Sequence, residues 1–224
     1  MTLCQQHPNH NRRGGKVSSR PIPATKKVAW ISTEYAEDRN PALIMVAERL
    51  QETFETYEIT LHASSGIPDD LAESELAVIA AHGGILPEGR YVQRISNDAE
   101  LVLYPSALAN AVRGSAVVVL FICSGGRVDT HPVGETTVGL VRQILDQGCA
   151  TVIASPWPLD TRVPSHWLPT FLERWSGGDS VIEAAFSANQ NVTKQMGDSP
   201  LDSLAMNVFG DPLRLRVDQM GTRK

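Results

Sequence analysis

Only three cysteines occur in the 224 residues of the chain, which is too few for a framework of disulfide bonds. We therefore expect a reducing compartment, the cytoplasm. The chain has no apolar N-terminal signal region and no run of about 18 apolar residues, so we expect neither secretion nor a membrane span. The net charge of -5 gives no reason to expect nucleic acid or an anionic membrane as a partner.

The sequence also lacks the glycine-rich signatures of nucleotide-binding α/β proteins. No Gly-x-Gly-x-x-Gly follows the first predicted strand, and no Walker A sequence is present. A nucleotide-binding protein is therefore disfavoured. What the chain does have is 42% hydrophobic and 20% charged residues, a composition that supports a well-filled core.

Composition divides the chain into three parts. Residues 1–27 are polar and contain several Lys, Arg, Gly and Pro, so they are predicted to be a disordered basic leader. Residues 28–217 are predicted to form one domain, and residues 218–224 a flexible tail. Three leader residues have a spacing loosely like that of metal ligands: Cys4, His7 and His10. A zinc site needs a fourth ligand and an ordered frame, so we expect no metal here.

Short apolar runs alternate with amphipathic segments along the predicted domain. The strands are predicted at Val28–Ile31, Tyr57–Leu61, Leu76–Ala81, Val117–Ile122, Cys149–Ala154 and Leu213–Val217, with a hairpin around Gln93, Ile95 and Leu101–Leu103. Helices are predicted after Pro41 and at Asp69–Glu75, Pro105–Val112, Glu135–Gln147, 161–176, Val181–Val192 and Leu201–Val208. This alternation predicts a right-handed, mostly parallel α/β sheet.

Two details of the later helices are predicted from single residues. Trp167, Phe171 and Trp175 recur at a spacing of four and predict one buried helix face, with Pro169 near the start of that helix. Ser180 and Glu183 have the spacing of a capping box at the start of the next helix.

Two of the apolar runs end in a reactive residue that lies close to glycine. The run before His82 continues as AAHGG at 80–84, and the run before Cys123 continues as LFICSGG at 120–126. Parallel strands have their carboxyl ends at one edge of the sheet, which is where open α/β sheets bind ligands. If the two strands are neighbours, or nearly so, His82 and Cys123 lie within roughly 5–10 Å of each other. A thiol and an imidazole placed there form a nucleophile and its base.

Glycine beside these residues lets backbone N–H groups approach a ligand closely. The N–H groups of Gly83 and Cys123 are predicted to bind a developing oxyanion, and one such donor is typically worth about 3–4 kcal/mol in the transition state. Each residue also has a structural alternative. His82 could cap a strand through a hydrogen bond to a loop, and Cys123 could be a small buried hydrophobic residue.

Four segments, in the same order, resemble the motifs of a CHAT domain, a member of the caspase-like cysteine peptidase group that also resembles separase. They are AAHGG (80–84), LFICSGG (120–126), GCATVIASPWPLD (148–160) and FGDPLRL (209–215). The CSGG sequence is closer to the separase form than to the Cys-Glu-Thr-Gly of many CHAT proteins. Phe121 and Ile122 are bulkier than the usual Ser-Ala, which leaves the shape of the pocket open.

The resemblance implies a caspase-like three-layer α/β/α sandwich with a mostly parallel central sheet. It implies an intracellular cysteine endopeptidase that cleaves a protein partner at limited sites through a Cys123–His82 dyad and a thioester, without cofactor or metal. Many CHAT domains follow a helical repeat array that senses a trigger, and none is seen in this sequence. We therefore expect either a separate sensor or activator protein or no sensing at all.

Substrate-binding residues are implied by the same resemblance, and each has an alternative. Asp160 matches an acidic residue that holds a basic P1 side chain in separase-like peptidases, but it could equally cap a helix. Trp157 either lines the S1 or S2 pocket or fills the core. Asp129 is a second acidic candidate, with an ordinary loop carboxylate as its alternative, and His131 is a rival to His82 as the base.

A second function class is also compatible with the motifs. A CHAT-like fold could serve as a non-catalytic interaction or scaffold module that binds a peptide on its sheet edge. The two function classes differ in the expected reactivity of the Cys123 thiol. A cysteine paired with a histidine reacts rapidly near neutral pH, whereas an inert buried cysteine does not.

Overall fold

The computed structural model describes residues 26–32, 41–85, 93–96, 102–127, 129–130, 137–197 and 206–216. Its strands are β1 (Lys27–Ser32), β2 (Thr60–Ser64), β3 (Leu76–Ala80), β4 (His82–Ile85), β5 (Gln93–Ser96), β6 (Val102–Leu103), β7 (Val117–Phe121), β8 (Asp129–Thr130), β9 (Thr137–Val138), β10 (Thr151–Ala154) and β11 (Asn207–Gly210). Its α-helices are α1 (Pro41–Thr56), α2 (Pro105–Ala111), α3 (Leu140–Asp146), α4 (Val163–Ser176) and α5 (Val181–Met196), and Asp69–Leu71 form one 3₁₀ turn.

Six strands form the main sheet, in the order β11-β10-β7-β3-β1-β2. The five strands from β10 to β2 are parallel, and β11 pairs antiparallel with β10. The central strands β3 and β7 are apolar and fully buried along their whole length, as expected for parallel strands covered on both faces. The predicted mostly parallel sheet is confirmed, and its parallel strands end at one common edge.

Helices cover both faces of this sheet, so the predicted three-layer sandwich is also confirmed. One apolar core joins α1, α4 and α5 to the sheet, and a second joins α2 and α3 to the opposite face. The first core contains an aromatic column. Phe121 of β7 meets Trp167 edge-on at 6.0 Å, and Trp167 stacks on Phe171, which stacks on Trp175. Each such pair contributes about 0.5–1.5 kcal/mol beyond burial alone.

The start of α5 has the predicted capping box. The backbone N–H of Ser180 donates to Oε2 of Glu183 at 2.8 Å, and the Ser180 side chain accepts in return from the backbone at Glu183. The placement of Pro169 near the start of its helix is wrong. Pro169 is the seventh residue of α4, and Pro164 occupies the first turn instead.

Several boundaries differ from the predictions. The helix α1 continues to Thr56, so the following strand begins at Thr60 rather than Tyr57. Of the helix predicted at Asp69–Glu75, only the 3₁₀ turn forms. The predicted helix Glu135–Gln147 begins only at Leu140, because Thr137–Val138 pairs with Asp129–Thr130 as β9.

The C-terminal segment shows the largest difference. The helix predicted at Leu201–Val208 is wrong at its end, because Asn207–Gly210 is β11. Val208 packs against one core and Phe209 against the other, which is the alternation of side chains expected in a strand. Pairing with β10 holds this segment in the extended conformation. Residues 213–216 form no strand, contrary to prediction.

The predicted leader and tail lie almost wholly outside the described residues, as do Cys4, His7 and His10. Within the described ranges, no group of three or more His, Cys, Asp or Glu side chains could hold a metal ion. No helix in the part of the chain that the structure describes has both the length and the apolar character needed to cross a bilayer.

Candidate active site

The strands that precede His82 and Cys123 are direct neighbours. Ala80 of β3 is the register partner of Phe121 of β7, and Ala81 N–H donates to the Phe121 carbonyl at 3.3 Å. His82 and Cys123 each lie two residues beyond that pair, and neighbouring strands run about 4.8 Å apart. The predicted adjacency of the two strands is therefore confirmed. Both residues are half-buried at the carboxyl edge of the main sheet.

His82 belongs to a second sheet, of which the sequence predicted only the hairpin that forms β5 and β6. It is the first residue of β4, and β4, β5 and β6 form a separate antiparallel sheet. Only Ala81 separates β3 from β4. The predicted strand Leu76–Ala81 is thus β3, a separate strand begins at His82, and the change of sheet turns the chain at the edge where Cys123 lies.

Gly83 packs directly against the backbone of Cys123. A Cβ atom at position 83 would overlap Cγ2 of Ile122 and would lie 2.8 Å from the carbonyl oxygen of Cys123 and 3.3 Å from its nitrogen. A side chain at position 83 would force Ile122 or the Cys123 backbone to shift, so space favours glycine here. The segment that carries His82 is thereby in van der Waals contact with the segment that carries Cys123.

Cys123 is followed by a tight turn. Gly125 N–H donates to the Ile122 carbonyl at 2.9 Å, and Arg127 N–H donates to the Ser124 carbonyl at 3.0 Å. Ser124 has φ of 58°, in the left-handed region that non-glycine residues rarely adopt. Residues held in this way cost about 1–3 kcal/mol and cluster at functional sites. The turn was not predicted; the two glycines after Ser124 were its sequence signal.

The loop after β10 fastens this turn in place. Ser124 N–H donates to the Trp157 carbonyl at 2.9 Å, and Gly126 N–H donates to the Ser155 carbonyl at 2.7 Å. The thiol of Cys123 lies 3.8 Å from the carbonyl oxygen of Leu159. The segment from 155 to 160 is therefore the wall of the site on the β10 side, as its place after the neighbouring strand requires.

Trp157 lies on this wall and does not fill the core. Its exposed fraction is 51%, whereas the other three tryptophans of the chain are at most 1% exposed. Its backbone N–H donates to the Ser155 hydroxyl at 3.2 Å. Of the two alternatives for Trp157, core filling is wrong, and an exposed indole beside the Cys123 turn remains.

Asp160 is held by Arg162. Its Oδ1 accepts from the Arg162 backbone N–H at 2.9 Å and from Nε at 3.0 Å, and its Oδ2 accepts from Nη2 at 2.9 Å. The hydrogen bond from the Arg162 side chain lowers the pKa of the Asp160 carboxyl. Because α4 begins at Val163 with Arg162 in the N-cap position, Asp160 is not itself the cap residue. The role of Arg162 was missed, although the Asp-x-Arg spacing was visible in the sequence.

For the other candidate site residues the structure gives less detail. Asp129 begins the short strand β8, of which only the backbone is described, and His131 lies outside the described residues. Cys149 is no rival to Cys123. It is buried, its thiol donates to the Val112 carbonyl at 2.9 Å, and burial raises its pKa to about 11. At neutral pH such a thiol is neither nucleophilic nor reachable.

Comparison with known proteins identifies the fold. The chain is similar to separase in the Saccharomyces cerevisiae separase–securin complex, with a TM-score of 0.53 and 16% identity over 85% of this chain and 12% of the separase chain. It is also similar to the Arg-specific cysteine proteinase gingipain R, with a TM-score of 0.56 and 11% identity over 85% of this chain and 47% of that chain. The gingipain RgpB of Porphyromonas gingivalis, in complex with its pro-domain, gives a TM-score of 0.53 at 12% identity.

These structural neighbours are caspase-like cysteine peptidases, and the described sheet and helices are consistent with their fold. At such low identity the similarity shows the fold alone, and the chain spans only an eighth to a half of the neighbours' lengths. No protein-family model matches the chain, and no curated protein matches it. Membership of the CHAT family therefore stays a prediction from the sequence motifs.

Proposed function

We propose that this chain is a cysteine endopeptidase of the caspase-like type, in which Cys123 is the nucleophile and His82 the base. The observation that carries the proposal is the meeting of two strand ends. His82 and Cys123 stand two residues beyond one register pair, and Gly83 packs on the Cys123 backbone. A CHAT domain remains the family that the motifs favour.

The proposed reaction proceeds in two steps. The Cys123 thiolate attacks the carbonyl carbon of the scissile peptide bond, and the imidazolium of His82 donates its proton to the leaving amine. His82 then takes a proton from water, whose oxygen attacks the thioester and releases the carboxylic acid and the thiolate. The N–H groups of Gly83 and Cys123 are proposed to bind the oxyanion in both steps. The chemistry needs no cofactor.

The turn at Ser124 supports this assignment because it controls where the thiol stands. The turn is anchored by two backbone hydrogen bonds to the loop after β10, from Ser124 and Gly126. A nucleophile held in a fixed position avoids much of the entropy cost of reaching a near-attack geometry. The strain stored at Ser124 is consistent with such a positioning role.

The substrate is proposed to be a protein cleaved at limited sites, with Asp160, Trp157 and Asp129 as candidate substrate-binding residues. Asp160 directly follows Leu159, whose carbonyl lies 3.8 Å from the thiol. A carboxylate there suits an arginine or lysine at P1. The Arg-specific name of one structural neighbour is in keeping with this choice. Because the neighbours form complexes with securin or a pro-domain, a separate regulatory partner is proposed as well.

The decisive experiment is labelling with a thiol-reactive peptide probe in a Cys4→Ser background, which leaves two thiols, Cys123 and the buried Cys149. Labelling should be lost in Cys123→Ala and retained in Cys149→Ser. Probe labelling that survives in Cys123→Ala would remove the dyad. A plain alkylating reagent serves as the reference for access to the thiol.

The non-catalytic module is the second candidate. The main sheet ends in two strands, β2 and β11, each paired on one side only within the described residues, so an added peptide strand could bind there. The two candidates predict different rates. A dyad gives Cys123 a rate constant well above that of a free thiol at pH 7, whereas the module gives at most the free-thiol rate.

A further inference from the structure

Asp160 directly follows the residue whose carbonyl lies beside the candidate nucleophile. The carbonyl of Leu159 lies 3.8 Å from the Cys123 thiol, and Asp160 is the next residue. The loop that carries both is fixed to the Cys123 turn by the hydrogen bond from Ser124 to Trp157. A charged side chain at position 160 is therefore placed where it can contact a peptide bound across the thiol.

Both oxygens of the Asp160 carboxylate are engaged by one guanidinium group. Arg162 donates from Nε to Oδ1 at 3.0 Å and from Nη2 to Oδ2 at 2.9 Å, which is the bidentate geometry that an arginine side chain of a substrate would adopt. The backbone N–H of Arg162 adds a third bond at 2.9 Å. An arginine of the protein itself thus occupies the carboxylate to which a basic P1 side chain would bind.

Other ion pairs of the chain make a useful contrast. Arg174 contacts Asp179 through Nε alone at 2.7 Å, and Arg142 contacts Asp146 through Nε alone at 2.9 Å. One pair lies at the end of α4 and the other within α3. The exposed fraction of the Arg174 side chain is 54%, and that of Arg162 is 55%. Exposure alone therefore does not distinguish Arg162 from the other paired arginines. What distinguishes it is the bidentate hydrogen bonding to Asp160 and the position of that pair in the loop beside Cys123.

We propose that Arg162 is a specificity-determining residue that occupies Asp160 and competes with a basic P1 side chain for it. This inference rests on the proposed peptidase function. Since Arg162 is two residues from Asp160, the competition is intramolecular and acts at a high effective concentration. The free chain consequently discriminates little between basic and neutral P1 residues. Displacement of Arg162 from Asp160, by a substitution or by a partner, converts the chain into a form that prefers Arg or Lys at P1.

The test compares two probes that differ only at P1, one with arginine and one with leucine, on Cys4→Ser protein. The measured quantity is the ratio of their labelling rates at Cys123. Arg162→Gln should raise the Arg/Leu ratio roughly two- to fivefold, the size expected for freeing a half-exposed bidentate carboxylate. The double variant Asp160→Asn/Arg162→Gln should return the ratio to the starting value. Arg162→Lys, which keeps the charge but loses the fork, should give a smaller rise.

Arg174→Gln is the matched control, because it removes an equally exposed, ion-paired arginine from the other end of α4. It should leave the ratio unchanged. An unchanged ratio in Arg162→Gln, or an equal rise in Arg174→Gln, would overturn the proposal. A rise that persists in the double variant would also overturn it, because Asp160 would then not be the group that was freed.

Failure of the proposed function would look different. In that case Cys123 would react with iodoacetamide no faster than a free thiol, and neither peptide probe would label any variant above that rate. The Arg162 proposal would fall with it. If iodoacetamide and the leucine probe report an activated Cys123 while the ratio does not respond to Arg162, the peptidase stands and only the inference about Arg162 is wrong.

Discussion

Gly83 stands so close to Cys123 that a Cβ atom at position 83 would lie 2.8 Å from the Cys123 carbonyl oxygen. The contact joins the main sheet to the sheet of β4, β5 and β6, because Gly83 belongs to β4 and Cys123 follows β7. It is also the point where the proposed base and nucleophile meet.

Gly83→Ala should damage the site. The added methyl group would overlap Cγ2 of Ile122 and press on the Cys123 carbonyl, and overpacking of this kind costs about 1–3 kcal/mol. We expect a lower midpoint in urea unfolding and slower labelling of Cys123. Gly66→Ala is the control, because a Cβ there meets nothing within 4 Å. Equal behaviour of the two variants would contradict the described contact.

His82→Ala should slow the alkylation of Cys123 at pH 7 on the order of tenfold or more, because the thiol loses the group that deprotonates it. The measurement is a pH profile of iodoacetamide labelling. His62→Ala is a suitable control, since His62 pairs with Asp70 at 3.0 Å on strand β2, the edge strand of the main sheet. Unchanged labelling in His82→Ala would point to another base, first of all His131.

Cys149 should make the fold sensitive to alkali. Burial raises the pKa of its thiol from 9.0 to about 11, so the neutral thiol is favoured in the folded state. The associated stability is fully present below pH 9 and is lost as the pH rises to about 11. Two pH units correspond to about 2–3 kcal/mol. Cys149→Ser keeps a donor for Val112 but does not titrate in this range, so its stability should fall less between pH 9 and 11; parallel curves would contradict this assignment.

In the Arg162→Gln background, where the carboxylate is released, Asp160→Asn should reduce labelling by basic P1 probes more than labelling by neutral ones. An equal loss for all P1 residues would mean that the carboxylate only shapes the turn before α4. Its lowered pKa adds a second readout. A carboxylate with a lowered pKa stabilises the fold above its ordinary pKa and loses this effect as the pH falls through the folded value. Because the pair is half-exposed, the effect should not exceed about 1 kcal/mol.

Trp157→Ala should weaken substrate binding without unfolding the protein. The indole is 51% exposed, and surface substitutions of this kind usually change stability by less than about 0.5 kcal/mol. We expect a higher KM for a peptide substrate and a Tm close to that of the parent chain. A large loss of Tm with KM unchanged would show that Trp157 has a packing role instead.

The pattern of strands and helices was predictable because burial leaves a plain signature in the sequence. The all-apolar runs before His82 and Cys123 could only be strands buried on both faces, and parallel strands end at one edge. These two features were enough to predict that His82 and Cys123 lie near each other at the edge of the sheet. It could not separate β3 from β4, because a change of sheet at Ala81 alters neither composition nor periodicity.

Features that depend on contacts between distant segments were not predictable. Asn207–Gly210 forms a strand because β10 offers it a partner, and local propensity says nothing of that pairing. The left-handed turn at Ser124 depends on hydrogen bonds to the loop after β10. The Asp160–Arg162 pair is local, but two opposite charges two residues apart are common on surfaces. Only its position beside the thiol distinguishes it.

His82 and Cys123 are held by different sheets of the protein. The thiol follows β7, whose last residue, Phe121, is locked into the aromatic column on α4. The imidazole reaches the main sheet through a single residue, Ala81. Ala81 is itself buried in the second core and donates its N–H to the carbonyl of Phe121, which lies in the first core. The reactivity of Cys123 is therefore expected to depend on the packing of both cores at this edge of the sheet.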